Sequence, residues 1–174
     1  WGIESAFLTT LHPLLAYQNV TDGPLSSISN PGHTWTDYSL GRATYGNLIP
    51  KDTTAGNACL TVLPNLDGKL DALSFRVPTI IVSASDFSVN VGRPITVEAF
   101  HEAVADLAAA FPRSVMLENR PLVSSDYTGV EQSCIVDQRR TKVVGDRFIK
   151  IVSWYDNEWG YSSRVLDVAR LVAS

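Results

Sequence analysis

His12 stands directly before Pro13, at the end of an apolar, threonine-rich run, IESAFLTTL, over residues 3–11. Proline cannot donate to a β-ladder, so a strand must stop there and leave the imidazole at an element end, where side chains border clefts. Taken alone, a strand-end histidine is more often structural than catalytic. Arg76 lies inside the strongly apolar segment Leu73-Ser74-Phe75-Arg76-Val77-Pro78. A buried guanidinium is costly unless paired, so it calls for a carboxylate or an anion, and composition favours neither. Thr53 and Thr54 follow Pro50 at the start of a short helical segment, where hydroxyls and backbone amides suit a phosphate, or simply cap the helix. Asn157, in Asp156-Asn157-Glu158-Trp159-Gly160, carries an amide that could read a carboxamide or cap the last helix.

The elements that must hold these groups follow from periodicity. Residues 22–46 are rich in turn chemistry (DGP, NPG and serines), a loop long enough to imply a purpose. Residues 72–91 carry the strongest strand signal, with Ile80-Ile81-Val82 a continuous apolar run and Phe87, Val89 and Val91 alternating with Ser88 and Asn90. Pro78 marks an edge or a bulge within it. From Thr96 the period becomes helical, with Phe100, Ala103, Val104, Leu107 and Phe111 on one face until Pro112. Residues 134–137 and 148–154 read as paired strands, and a final helix aligns Tyr161, Val165, Val168 and Val172. Strands outnumber helices and lack regular crossovers. The expected fold is α+β, a mostly antiparallel mixed β-sheet with helices packed on one face.

The 174 residues, 45% hydrophobic and 18% charged, suit one domain with a core of useful size. A net charge of −4 argues against nucleic acid or an anionic membrane as partner. No apolar run reaches the roughly 20 residues that cross a bilayer. Two cysteines, Cys59 and Cys134, fit a reduced, cytoplasmic setting better than a disulfide framework. The single methionine is Met116 and the chain opens on Trp1, so further polypeptide is expected upstream. No metal site and no Gly-rich phosphate loop after a strand is expected.

Residues 153–167, SWYDNEWGYSSRVLD, resemble the glyceraldehyde-3-phosphate dehydrogenase family. The same pattern recurs at Thr9-Thr10-Leu11-His12, Asp22-Gly23-Pro24, Leu48-Ile49-Pro50 and Phe75-Arg76-Val77-Pro78-Thr79, in the family's order. The resemblance implies that residues 1–174 are the catalytic, substrate-binding domain, with the N-terminal dinucleotide-binding domain absent. In that family a cysteine thiolate attacks an aldehyde, hydride passes to NAD or NADP, and inorganic phosphate releases the acyl group. His12 matches the histidine that activates the thiol and serves as acid and base. Asn157 matches the residue that holds the nicotinamide carboxamide. Arg76 matches an anion-site arginine, Thr53 and Thr54 occupy a phosphate-binding position, and Arg42 keeps another of the family's arginines.

The departures carry expectations too. Neither cysteine matches the nucleophile, so this polypeptide alone should be inert. Leu15 and Leu40 replace a threonine and an arginine of the anion sites, and Tyr17 stands where a small polar or acidic residue is usual. The 22–46 loop carries an insertion, PLSSISNPGHTW, in which His33 is an alternative phosphate contact. The resemblance implies a sugar-phosphate aldehyde and inorganic phosphate as substrates and a homo-tetramer as assembly. Erythrose 4-phosphate is the alternative aldehyde; a domain kept for oligomer contacts or regulation, with catalysis lost, is the reading from another class.

Overall fold

The computed structural model describes residues 1–26, 34–35 and 38–173. Its strands and helices follow in the order β1 (Ile3–His12), β2 (Leu25–Ser26), β3 (Thr34–Trp35), β4 (Ile49–Asp52), α1 (Ala55–Val62), β5 (Leu70–Arg76), β6 (Ser83–Val91) and α2 (Val97–Ala110), then β7 (Val115–Glu118), β8 (Cys134–Asp137), β9 (Lys142–Val144), β10 (Phe148–Tyr155) and α3 (Asn157–Ala173). One sheet runs β4-β5-β1-β6-β10-β8-β7, with β9 also paired to β10. The β1–β5 and β7–β8 pairs are parallel and the remaining pairs antiparallel. The α+β expectation, with a mostly antiparallel sheet, holds.

Local chemistry sets the boundaries. β1 ends at His12 because Pro13 follows. Thr96 caps α2, its hydroxyl accepting from the Ala99 amide at 3.1 Å, and the helix stops one residue before Phe111-Pro112. Phe100 of α2 packs on Val89, Val91, Ile95 and Ile149, the main core on the helix-covered face. Near β8 the opposite face is covered instead, where Val82, Tyr127 and Ile135 cluster with Trp154. Tyr127 stacks on Trp154 with ring centroids 5.6 Å apart. Elsewhere that face is open, and Phe7 and Leu11 of β1 are exposed.

Two expectations need correction. Ile80-Ile81-Val82 is not strand: β5 ends at Arg76, β6 begins at Ser83, and Val82 adopts a positive φ of 68°. An apolar run of this length does not distinguish a strand from a connection, and here Pro78 breaks the ladder between two strands. The segment joining β8 to β10 is not a plain connection either, since it contributes β9 to a hairpin turning at Gly145, whose φ is 63°. The face of α3 bearing Val165, Val168 and Val172 is expectedly helical but exposed; Gly160 and Ser163 are what the helix buries. Most of the loop insertion, His33 included, lies outside the described residues.

Glu118, at the end of β7, is buried and held by Arg120 through Nε at 2.9 Å and Nη2 at 2.6 Å, and by the Asn119 and Arg120 amides. The Arg120 hydrogen bonds outweigh the opposing effect of burial and hold its carboxyl at about 2, against a usual 4.5. A depressed carboxylate stabilises the fold above its unfolded pKa, and that contribution is lost as pH falls from 4.5 towards about 2. Glu118→Gln should therefore shrink the drop in urea midpoint between about pH 7 and about pH 3. An unchanged drop would show that this carboxylate contributes nothing to acid unfolding.

Candidate active site

The site is a consequence of strand register. Thr10 lies opposite Ser74 on one side and Ser85 on the other, and Ser85 lies opposite Ser153. These four buried hydroxyls form a row across β5, β1, β6 and β10, and Thr10 donates to Ser74 at 2.9 Å. Side chains repeat every second residue along a strand. Two residues further along, the same face carries Arg76, His12, Ser83 and Tyr155, with Ile49 of β4 beside Arg76.

His12 and Arg76 are thus cross-strand neighbours on a parallel pair. Arg76 is only 6% exposed, its Nε has no hydrogen-bond partner, and among the described residues no carboxylate pairs with it. The His12 ring is tied at both nitrogens. The Pro13 carbonyl lies 2.9 Å from Nδ1 and can only accept, so Nδ1 carries the proton. Nε2 is then the acceptor for the Asn157 amide, 3.2 Å away. Burial pushes the ring below the usual imidazole value of 6.5; the Pro13 carbonyl opposes this, Arg76 lowers it further, Glu158 raises it and Lys51 lowers it.

Asn157 is free to point at the ring because another residue caps α3. Asp156 Oδ1 accepts from the Trp159 amide at 2.9 Å and Oδ2 from the Gly129 amide at 2.9 Å. The carboxamide of Asn157 instead receives the Ser83 hydroxyl at Oδ1, 2.5 Å away. Sequence reasoning named Asn157 and missed Ser83. The available signal was a small polar residue directly after the apolar run at 80–82.

Lys51 was missed as well. It lies opposite Ser74 in the β4–β5 ladder, on the face shared with Arg76, and alternation about Ile49 would have placed it there. Thr54 occupies the N-cap of α1 without a side-chain capping bond, while Thr53 Oγ1 accepts from the Ala55 amide at 3.2 Å. Among the described residues Arg42 forms an exposed ion pair with Asp22 at 3.1 Å and no hydrogen bond or ion pair joins it to this group. Leu40 is buried in a cluster with Ile49, against which Tyr17 packs, and Ile49 lies opposite Arg76.

Residues 1–157 match the family model described as the C-terminal domain of glyceraldehyde 3-phosphate dehydrogenase. The chain belongs to the glyceraldehyde-3-phosphate dehydrogenase family. It is 39% identical over 171 residues to the cytosolic glyceraldehyde-3-phosphate dehydrogenase 2 of Hordeum vulgare, covering 98% of this chain and 53% of that protein. It is 40% identical over 174 residues to glyceraldehyde-3-phosphate dehydrogenase 3 of Kluyveromyces marxianus, covering 99% of this chain and 50% of that protein. The chain spans about half the length of the curated relatives it matches. No helix among the described residues is long and apolar enough to cross a membrane.

A neutral, half-buried His12 has a readable consequence. Its lowered pKa means that the unfolded chain binds a proton near 6.5 while the folded chain does not, so stability falls as pH drops below 6.5 and levels off beneath the folded pKa. His12→Gln should reduce the loss of stability between about pH 7 and about pH 5, as read from urea midpoints. An undiminished loss would place the responsible group elsewhere.

Proposed function

We propose that this chain is the substrate-binding domain of a phosphorylating aldehyde dehydrogenase that uses NAD or NADP and acts on a sugar-phosphate aldehyde, glyceraldehyde 3-phosphate first. The observation that carries the reading is the single row holding Arg76 and His12, with the Asn157 amide 3.2 Å from the ring. A buried guanidinium with no carboxylate partner among the described residues suits an anion, and beside it stands a base whose pKa is kept low.

His12 is the general acid and base. Its Nδ1–H stays on the Pro13 carbonyl, and Nε2 takes the proton from a nucleophilic thiol as it gives up its bond from Asn157. The next charge, Arg76, binds the anionic group of the substrate, aided by the hydroxyls of Thr53 and Thr54 at the start of α1. Arg42 joins them only by leaving Asp22. Asn157 borders a cleft of about 170 Å³ with Tyr155 and Tyr161, and its amide is of the right chemistry to pair with a carboxamide. A nicotinamide bound there would supply the hydride acceptor. The thiol and the dinucleotide domain belong to the remaining half of the protein, and this domain alone is inert.

The buried Leu40–Ile49–Tyr17 cluster favours a second reading for the aldehyde, erythrose 4-phosphate, because an apolar wall now stands beside the anion site. The open sheet face with exposed Phe7 and Leu11 suits a homo-tetramer, and the cytosolic relatives suit a cytoplasmic protein.

Steady-state turnover of both aldehydes by the full-length protein tests this. Arg76→Leu removes a charge-assisted bond worth about 1.5–3 kcal/mol, so kcat/KM for the phosphorylated aldehyde should fall by roughly tenfold to a hundredfold or more. An unaltered kcat/KM would remove Arg76 from substrate binding. No turnover of either aldehyde by the wild type would favour a domain whose catalysis has been lost.

A further inference from the structure

The residue that aims Asn157 is held by a strained backbone. Val82 is the non-glycine residue with a positive φ among those described, at 68°, a conformation that a β-branched side chain rarely adopts. Strain of this kind persists where packing over-determines it, and it collects at functional sites. Val82 is 2% exposed and packed with Tyr127 and Ile135, so burial holds the turn. The next residue, Ser83, is completely buried and begins β6 with its hydroxyl 2.5 Å from Asn157 Oδ1.

We propose that Ser83 is a positioning residue whose hydroxyl fixes which end of the Asn157 amide faces His12, and with it how readily Nε2 of the ring takes a proton. The logic is one of donors and acceptors. The Pro13 carbonyl requires a proton on Nδ1 and leaves a lone pair on Nε2. That lone pair is satisfied by the NH2 end of Asn157, which faces the ring only while its oxygen faces Ser83. Among the described residues, Asn157 Oδ1 is the one acceptor of the Ser83 hydroxyl. Turning the amide over would leave that buried donor unsatisfied and set oxygen against lone pair at the ring. The charged groups facing His12 from its neighbours are Arg76 of β5, Lys51 of β4 and Glu158 of α3, and none of them depends on Ser83.

The consequence for turnover rests on the dehydrogenase reading: an imidazole preset with its proton on Nδ1 is ready to accept a second one at Nε2. The structural consequence does not rest on it. In Ser83→Ala the amide can turn to offer oxygen to Nε2, which favours the protonated ring.

Long-range 1H–15N correlation on the histidines of the intact polypeptide, with His12 assigned through His12→Gln, reads both tautomer and titration. The wild type should show Nε2 unprotonated at neutral pH. Ser83→Ala should raise the His12 midpoint by about half a unit to one unit, the scale of one hydrogen bond. Ser83→Cys, which keeps the volume with a weaker donor, should shift it less in the same direction, and it serves where the alanine variant fails to fold. In an Asn157→Ala background the Ser83 substitution should have no effect on the midpoint. An unchanged midpoint in Ser83→Ala, or an equal shift with Asn157 already removed, overturns the proposal. Because the signal is read without turnover, an inactive full-length protein would count against the dehydrogenase reading and leave this one standing.

Discussion

A guanidinium almost fully withdrawn from water, with no carboxylate beside it among the described residues, is the constraint around which this domain is arranged. Burying such a charge costs several kcal/mol unless an anion or a hydrogen-bonding partner compensates. Arg76 sits where a parallel strand pair places it directly across from His12, one row beyond the buried hydroxyls of Ser74, Thr10, Ser85 and Ser153. A one-residue slip of β5 against β1 would send the arginine to the open face and the imidazole would lose its neighbour. The sheet's register is therefore also the site's geometry. Arg76 then acts on His12 in turn, reinforcing the effect of burial in keeping the ring neutral.

Much of this was legible before any coordinates. Pro13 ends β1, Thr96 caps α2, and the shift from alternation to helical spacing separates β6 from α2. The buried state of Arg76 followed from its apolar surroundings. What the letters could not supply was contact between distant residues. His12 and Asn157 lie 145 positions apart and Ser83 and Asn157 lie 74 apart, and only the sheet order brings them together. The run at 80–82 misled because an apolar connection and an apolar strand have the same composition, and the strain at Val82 leaves no mark in residue type. Asn157 was ambiguous between cap and ligand until Asp156 was seen to satisfy the helix end.

Leu40, Ile49 and Tyr17, far apart in sequence, belong to one apolar cluster in space, and Ile49 is paired with Arg76. Elsewhere the domain keeps apolar surface that it does not cover itself, at Phe7 and Leu11 and along α3 at Val165, Val168 and Val172.

The central claim is that Arg76 and His12 share one pocket open to an anion. Inorganic phosphate, added while the His12 ring is titrated by NMR, tests it most directly. An anion on the guanidinium offsets its charge, so the His12 midpoint should rise saturably with phosphate, and the response should vanish in Arg76→Leu. A midpoint indifferent to phosphate, or one that moves equally without Arg76, would contradict the account.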